Sequence, residues 1–134
     1  MKNNLKESIQ QFNSQHNRLS ITYVISENQL VTITLFLSGD LDTHNSHEFI
    51  SLFDVIHDLD YRPERIVVNC RDIDYISSTG VGSFTTILIK CKTSGIEFFL
   101  SQVPHKVTDV LELLGFLKYF PILEEEKTGT KDAE

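Results

Sequence analysis

Two periodicities of apolar residues alternate along this chain, and this alternation limits the fold more than any other feature. Alternating or continuous short apolar runs are typical of strands, whereas apolar residues three and four positions apart are typical of helices. Residues 31–37 show the first pattern, residues 43–60 the second, and residues 66–70 form a continuous apolar run. Because strand and helix patterns follow one another through short links, the sequence predicts a single α/β domain.

The predicted elements divide the chain into an arm, a domain and a tail. The polar arm, residues 1–20, is interpreted as a weak helix or a disordered segment, and residues 124–134 as a charged flexible tail. Within residues 21–123 we expect a hairpin (21–37), a helix (43–60), a central strand (66–70), a helix from Ser78 or Thr79 to Ser94, a strand (96–100), a helix from Pro104 to Gly115 and a last strand (119–123). Right-handed crossovers would place these helices mainly on one face of a small mixed sheet of four to five strands.

Length and charge exclude several classes of protein. The chain has 134 residues, enough for one domain, and its net charge of -7 argues against a nucleic-acid partner. No apolar run approaches the roughly 20 residues of a membrane span, and the amino terminus is too polar for a secretory signal. We therefore expect a cytoplasmic protein whose two cysteines, Cys70 and Cys91, are buried and reduced.

Signatures of enzymatic sites are largely missing from the sequence. A phosphate-binding P-loop is absent, the pair Gly80 and Gly82 lacks the third glycine of a dinucleotide loop, and Ser78 lacks the glycine frame of a hydrolase nucleophile. His44 and His47 have no second cluster of ligands to support a metal site. The sequence predicts no cofactor, no metal and no enzymatic activity.

The segment from Ser77 to Gly82 places three hydroxyl groups at the start of a helix, directly after a buried strand. One interpretation is a simple helix cap, because a serine or threonine at this position accepts a hydrogen bond from a free backbone N–H. The other is an accessible acceptor for a modifying group. Asp40 and Asp42 are open to the same pair of interpretations, as capping residues or as outward-facing carboxylates.

The order of these motifs supports the second interpretation. The sequence resembles bacterial anti-sigma factor antagonists of the STAS-domain family in the order of three segments. These are Gly39-Asp40-Leu41-Asp42, then Ile66-Val67-Val68-Asn69, then Tyr75-Ile76-Ser77-Ser78-Thr79-Gly80-Val81-Gly82. The resemblance implies a STAS-like fold and phosphorylation of Ser78 by a cognate anti-sigma factor, itself a serine kinase, with a PP2C-type phosphatase restoring the hydroxyl. Ser77 replaces an aspartate of the family pattern, which leaves Ser77 and Thr79 as alternative acceptors.

The resemblance implies a phosphoswitch that is not an enzyme. The unmodified protein would bind the kinase and free its sigma factor, and phosphorylation would end that interaction. The residues expected to contact the partner are Asp40, Asp42, Ser77, Thr79, Gly80 and Gly82. The alternative is a STAS scaffold subunit that works without phosphorylation. For the switch, a monomer or weak homodimer is expected.

Overall fold

Four α-helices and five strands make up the fold over the residues that the structure describes. The computed structural model describes residues 4–123, so the predicted tail lies outside the described residues. The helices are α1 (Leu5–Gln15), α2 (Ser46–His57), α3 (Ser78–Ser94) and α4 (His105–Leu113), and the strands are β1 (Leu19–Ser26), β2 (Thr32–Leu41), β3 (Arg65–Ile76), β4 (Glu97–Ser101) and β5 (Ile122–Leu123). Within the described residues, every helix is too short or too polar to cross a bilayer.

The five strands form one mixed sheet in the order β1-β2-β3-β4-β5. Strand β1 is antiparallel to β2, and the remaining neighbours are parallel. Helices α2, α3 and α4 each connect one parallel strand to the next, always moving the chain in the same direction across the sheet. Since such crossovers are right-handed, the three helices lie on one face. The predicted α/β class and mixed sheet are confirmed.

The core lies between this helical layer and the sheet, and aromatic rings connect its two ends. Phe49 of α2 meets Phe53 edge-on at 5.5 Å and Phe84 of α3 at 6.3 Å, and Phe84 meets Phe120 at 6.1 Å. All four rings are buried. Because interiors are close-packed, these contacts fix how α3 lies on the sheet.

The amino-terminal arm contains a helix that packs on the domain. Leu5, Ile9 and Phe12 share one buried face of α1, which contacts α2 and β1. The side-chain amide of Asn13 both donates to the Ile21 carbonyl and accepts from the Ile21 N–H, each at 2.9 Å. Asn13 thus satisfies backbone groups that an edge strand would otherwise leave open. The arm therefore completes the sheet edge at β1.

Strands β2 and β3 extend further than the sequence pattern indicated. We expected the two strands to end before Gly39 and before Arg71, but β2 continues to Leu41 and β3 to Ile76. Gly39 pairs with Ile73 and Leu41 with Ile76, with register shifts along the way. The polar residues of this extension face solvent while its isoleucines are buried, so long-range pairing overrides local polarity.

The last strand is shorter than predicted. Of the segment 119–123, only Ile122–Leu123 is a strand, and a 3-10 helix over Leu117–Tyr119 precedes it. Pro121 separates the two and accepts a hydrogen bond from the Leu100 N–H at 3.0 Å. Because proline has no N–H to donate, regular pairing begins only after it.

Both thiols are buried, as predicted, and we expect them to be unreactive in the folded protein. Burial raises the pKa of Cys70 to about 12 and that of Cys91 to about 11, from 9.0. At about pH 8, roughly one thiol in a thousand or fewer would be ionised, and the thiolate is the reacting form. Iodoacetamide should label both cysteines readily in denaturant and neither in buffer; rapid labelling of the native protein would contradict this burial.

Candidate functional site at the start of helix α3

Helix α3 begins with a satisfied cap provided by Ser77. The Ser77 side chain accepts a hydrogen bond from the Gly80 N–H at 3.0 Å, and its backbone is extended. Such a cap contributes about 1 kcal/mol to the stability of a helix. Aspartate, which the resembling family pattern has at this position, is an equally good capping residue. Ser77 therefore provides the same cap without the negative charge of an aspartate.

The next two side chains point outward from the first turn of α3. Ser78 and Thr79 are both exposed, whereas Ser77 is half-buried. The Ser78 hydroxyl therefore lies at the surface beside the positive end of the helix dipole and beside backbone N–H groups of the first turn. Chemically, this arrangement presents a primary hydroxyl to an external donor and favours an anionic product at that position.

The loop after β2 forms a self-contained turn between Asp40 and Ser46. The Asp42 carboxylate accepts from the His44 N–H at 2.9 Å, and Asn45 links the Asp42 N–H to the Asp40 carbonyl at 3.0 and 2.9 Å. Ser46 donates to the Asp42 carbonyl. Helix α2 consequently starts at Ser46 with Asn45 as its N-cap, so neither Asp40 nor Asp42 is the capping residue, and the helix starts later than residue 43, where we predicted it.

Contacts between this turn and α3 bring the two predicted groups of site residues together. The Ser77 N–H donates to the Leu41 carbonyl at 3.0 Å, and the Thr43 and Thr79 hydroxyls lie 3.5 Å apart. Asp40 is half-buried, whereas Asp42 is 6% exposed. Asp42 therefore lies beneath the surface of the site and holds the turn by its hydrogen bonds. Asp40 is the more accessible of the two carboxylates.

Gly80 and Gly82, which the sequence grouped together, occupy different environments. A methyl group at Gly80 would lie 2.6 Å from the Leu41 carbonyl oxygen and 2.8 Å from the Ile76 side chain. At Gly82, a methyl group would meet no atom within 4 Å. Gly80 is needed for close packing of α3 on the strand ends, while Gly82 leaves open surface next to Ser78's turn.

Alanine substitutions should separate these two glycines. We expect Gly80→Ala to lower the free energy of unfolding by about 1–3 kcal/mol through overpacking. We expect Gly82→Ala to raise it by about 0.5–1 kcal/mol, because alanine is the better helix former and fits without a clash. Urea unfolding of both variants measures the difference, and equal effects at the two positions would show that the packing described here is wrong.

Two residues near the site were missed by the sequence argument. Tyr75 pairs with Asp40 in the sheet and is 56% exposed, three residues before Ser78. Arg18, at the end of the arm, places its guanidinium 3.5 Å from the Asp42 carboxylate. The exposed aromatic ring was detectable only once β3 was known to reach Ile76, and Arg18 only once the arm was placed against β2.

The histidine side chains near this site are exposed to solvent. His44 is largely exposed in the turn, and His47 and Glu48 are exposed in the first turn of α2. Among residues 4–123, no three side chains of the metal-binding types come together in a possible metal site.

Comparison with known proteins identifies the domain. The family model described as the STAS domain matches residues 22–129. The chain belongs to the STAS domain family. Helix α1 and Arg18 lie before the matched region.

Solved structures share the fold of this STAS domain at low sequence identity. The protein TM1081 of Thermotoga maritima is 24% identical, with 87% of this chain and 90% of that chain covered and a TM-score of 0.67. The anti-sigma factor antagonist SpoIIAA in its unphosphorylated form is 16% identical, covering 84% and 95%, with a TM-score of 0.62. A sulfate transporter family protein from Wolinella succinogenes is 19% identical, covering 72% and 74%, with a TM-score of 0.59.

Proposed function

We propose that this STAS domain is an anti-sigma factor antagonist that acts as a phosphoswitch and is not an enzyme. In its unmodified form it binds an anti-sigma factor serine kinase in the cytoplasm and frees the sigma factor. Transfer of the γ-phosphoryl group of ATP from the kinase to the Ser78 hydroxyl ends the interaction, and a PP2C-type phosphatase restores it.

The exposure of Ser78 beside a satisfied cap is the observation that carries this proposal. The Ser77 hydroxyl is half-buried and already accepts the Gly80 N–H, whereas Ser78 is exposed and takes no part in the cap. This difference favours Ser78 over Ser77 as the acceptor. Thr79, whose hydroxyl lies against Thr43, is the remaining alternative. SpoIIAA has also been solved in a phosphorylated form, and its structure is 14% identical to this chain with a TM-score of 0.59.

A phosphate at Ser78 would act on the partner and leave the domain folded. A phosphoserine carries about -1.5 to -2 charges, which the amino end of α3 accommodates. A partner that closes over this end without a cation would bury the new charge unpaired, at a cost of roughly 2–5 kcal/mol. That cost corresponds to about 30-fold to several-thousand-fold in affinity, enough to release the partner.

The acidity of the site favours a basic partner surface. Asp40 is the neighbour of Leu41, whose carbonyl accepts the Ser77 N–H, and the whole chain carries a net charge of -7. Complementary charge raises association rates and excludes partners of like charge. We therefore infer that the kinase presents lysine or arginine residues toward Asp40, away from the position that a phosphate on Ser78 would occupy in the complex.

Phosphate transfer with mapping of the modified residue tests this function. Purified protein is incubated with a candidate anti-sigma factor kinase and ATP, and the modified residue is identified by mass spectrometry. We expect one phosphate on Ser78 and none on the Ser78→Ala variant. Equal incorporation into both proteins would overturn the assignment to Ser78. A scaffold that works without phosphorylation would instead bind equally well before and after replacement of Ser78 by glutamate.

Tyr75 is expected to anchor the partner. Exposed tyrosines near the centre of an interface often dominate its binding energy. We expect Tyr75→Ala to weaken the affinity for the kinase by about 5-fold or more, since loss of such an anchor costs more than about 1 kcal/mol. Tyr119→Ala is the matched control, because Tyr119 is similarly exposed but lies beside β5. If the Tyr75→Ala and Tyr119→Ala variants bind the kinase with equal affinity, Tyr75 is not part of the interface.

A further inference from the structure

Arg18 precedes the region matched by the family model, but it contacts the turn between Asp40 and Ser46, which forms the rim of the site. Its carbonyl oxygen accepts the Asp40 N–H at 2.8 Å. The approach is close enough to require glycine at the neighbouring position, because a methyl group at Gly39 would lie 2.1 Å from that oxygen and Gly39 has a φ of +115°. The backbone of Arg18 is therefore fixed next to the turn that carries Asp40 and Asp42.

The guanidinium of Arg18 is held only weakly. Its Nη1 lies 3.5 Å from Oδ2 of Asp42, at the outer limit of a hydrogen bond, and the side chain is 56% exposed. The other Asp42 oxygen is occupied by the His44 N–H. A guanidinium has five donors, and among residues 4–123 the contact with Asp42 uses one of those on Arg18, so the others are open to a stronger acceptor nearby.

The turn next to Arg18 touches the first turn of α3 on both sides of Ser78. Leu41 accepts the Ser77 N–H, and Thr43 lies against Thr79. The segment from Ser77 to Gly82 itself contains no cation. A phosphate on Ser78 would be a better acceptor than the Asp42 carboxylate, because it carries about -1.5 to -2 charges and three acceptor oxygens, whereas one Asp42 oxygen already accepts from the His44 N–H.

We propose that Arg18 exchanges partners when Ser78 is phosphorylated, leaving the Asp42 carboxylate and pairing with the phosphate. This inference rests on the proposed function, since it concerns a consequence of modifying that serine. The partner of Arg18, a residue of the arm, thereby depends on whether Ser78 is phosphorylated. One guanidinium offsets only part of the phosphate charge of about -1.5 to -2, so a partner that closes over Ser78 would still bury unpaired negative charge, and Asp42 loses its contact with Arg18.

Phosphoserine installed at position 78 during synthesis tests this exchange without any kinase. The second ionisation of phosphoserine lies near pH 6 and can be followed by phosphorus NMR. A neighbouring guanidinium favours the doubly charged form, so the phosphate pKa should be about half a unit lower in the native protein than in the Arg18→Gln variant. The other charged and titratable groups near the site, Asp40, Asp42, His44 and Glu48, are present in both proteins, so the difference reports the replacement of Arg18.

Arg71→Gln provides the matched control, because Arg71 is another exposed arginine held at 3.5 Å by a carboxylate, that of Asp72. The phosphate in this variant should titrate like that of the native protein. In the native background, the Nε–H signal of Arg18 should also shift when phosphoserine replaces serine. Identical titrations of native and Arg18→Gln proteins, or an unmoved Arg18 signal, would overturn the exchange. Either result is independent of whether the kinase binds.

Discussion

Replacement of Ser78 by glutamate is expected to weaken binding of the anti-sigma factor kinase by about 30-fold or more while the domain remains folded. The carboxylate would lie at the amino end of α3, where the helix dipole favours negative charge. Its cost therefore falls on the complex, in which an unpaired charge is buried. Calorimetric titration of the kinase with the native and variant proteins measures the change in affinity, and urea unfolding checks the fold.

Thr93→Glu is the control for this experiment. Thr93 also carries an exposed hydroxyl group, but it lies near the other end of α3, about 20 Å along the helix from Ser78, so the same change of charge should alter the affinity by less than about twofold. An equal loss of affinity in both variants would indicate a general charge effect. Full affinity in the Ser78→Glu variant would favour the scaffold function.

Loss of the apolar face of α1 is expected to unfold the domain. Replacing Leu5, Ile9 and Phe12 together with alanine removes three buried side chains, each contributing roughly 2–5 kcal/mol. Their sum is comparable with the whole stability of a typical domain, about 5–15 kcal/mol. We expect a large decrease in the urea midpoint or no cooperative transition at all, as measured by circular dichroism.

The matched control replaces Lys6, Gln10 and Gln11, which are exposed on the same helix, with alanine. Surface changes of this kind alter stability by at most about 0.5 kcal/mol each. A native urea midpoint in the apolar variant would mean that the domain is stable without α1. The arm would then be an appendage, and its contacts at Ile21 and Asp42 would have little structural consequence.

The parts of the fold that depend on local sequence were predictable. The helix that begins at Ser78, its end at Ser94 and the mixed α/β sheet follow from capping residues and apolar spacing, which act over a few residues. The buried state of Cys70 and Cys91 follows from the apolar segments in which they lie. Such features are encoded within single elements.

The parts that depend on pairing between distant segments were not predictable. The polar end of β3 becomes a strand because β2 continues beside it, and only this extension places Tyr75 near Asp40. The contrast between Gly80 and Gly82 depends on Leu41, far away in sequence. Arg18 reaches Asp42 only after α1 has packed on β1. In each case the decisive neighbour comes from another element.

Reversal of the modification tests the switch most directly. The protein is phosphorylated by its kinase, its affinity for that kinase is measured, and the measurement is repeated after a phosphatase has removed the phosphate from Ser78. We expect binding to be at least about 30-fold weaker with the phosphate than without it, and to return fully after its removal. The same affinity before and after dephosphorylation would contradict the proposal that Ser78 controls access of the partner.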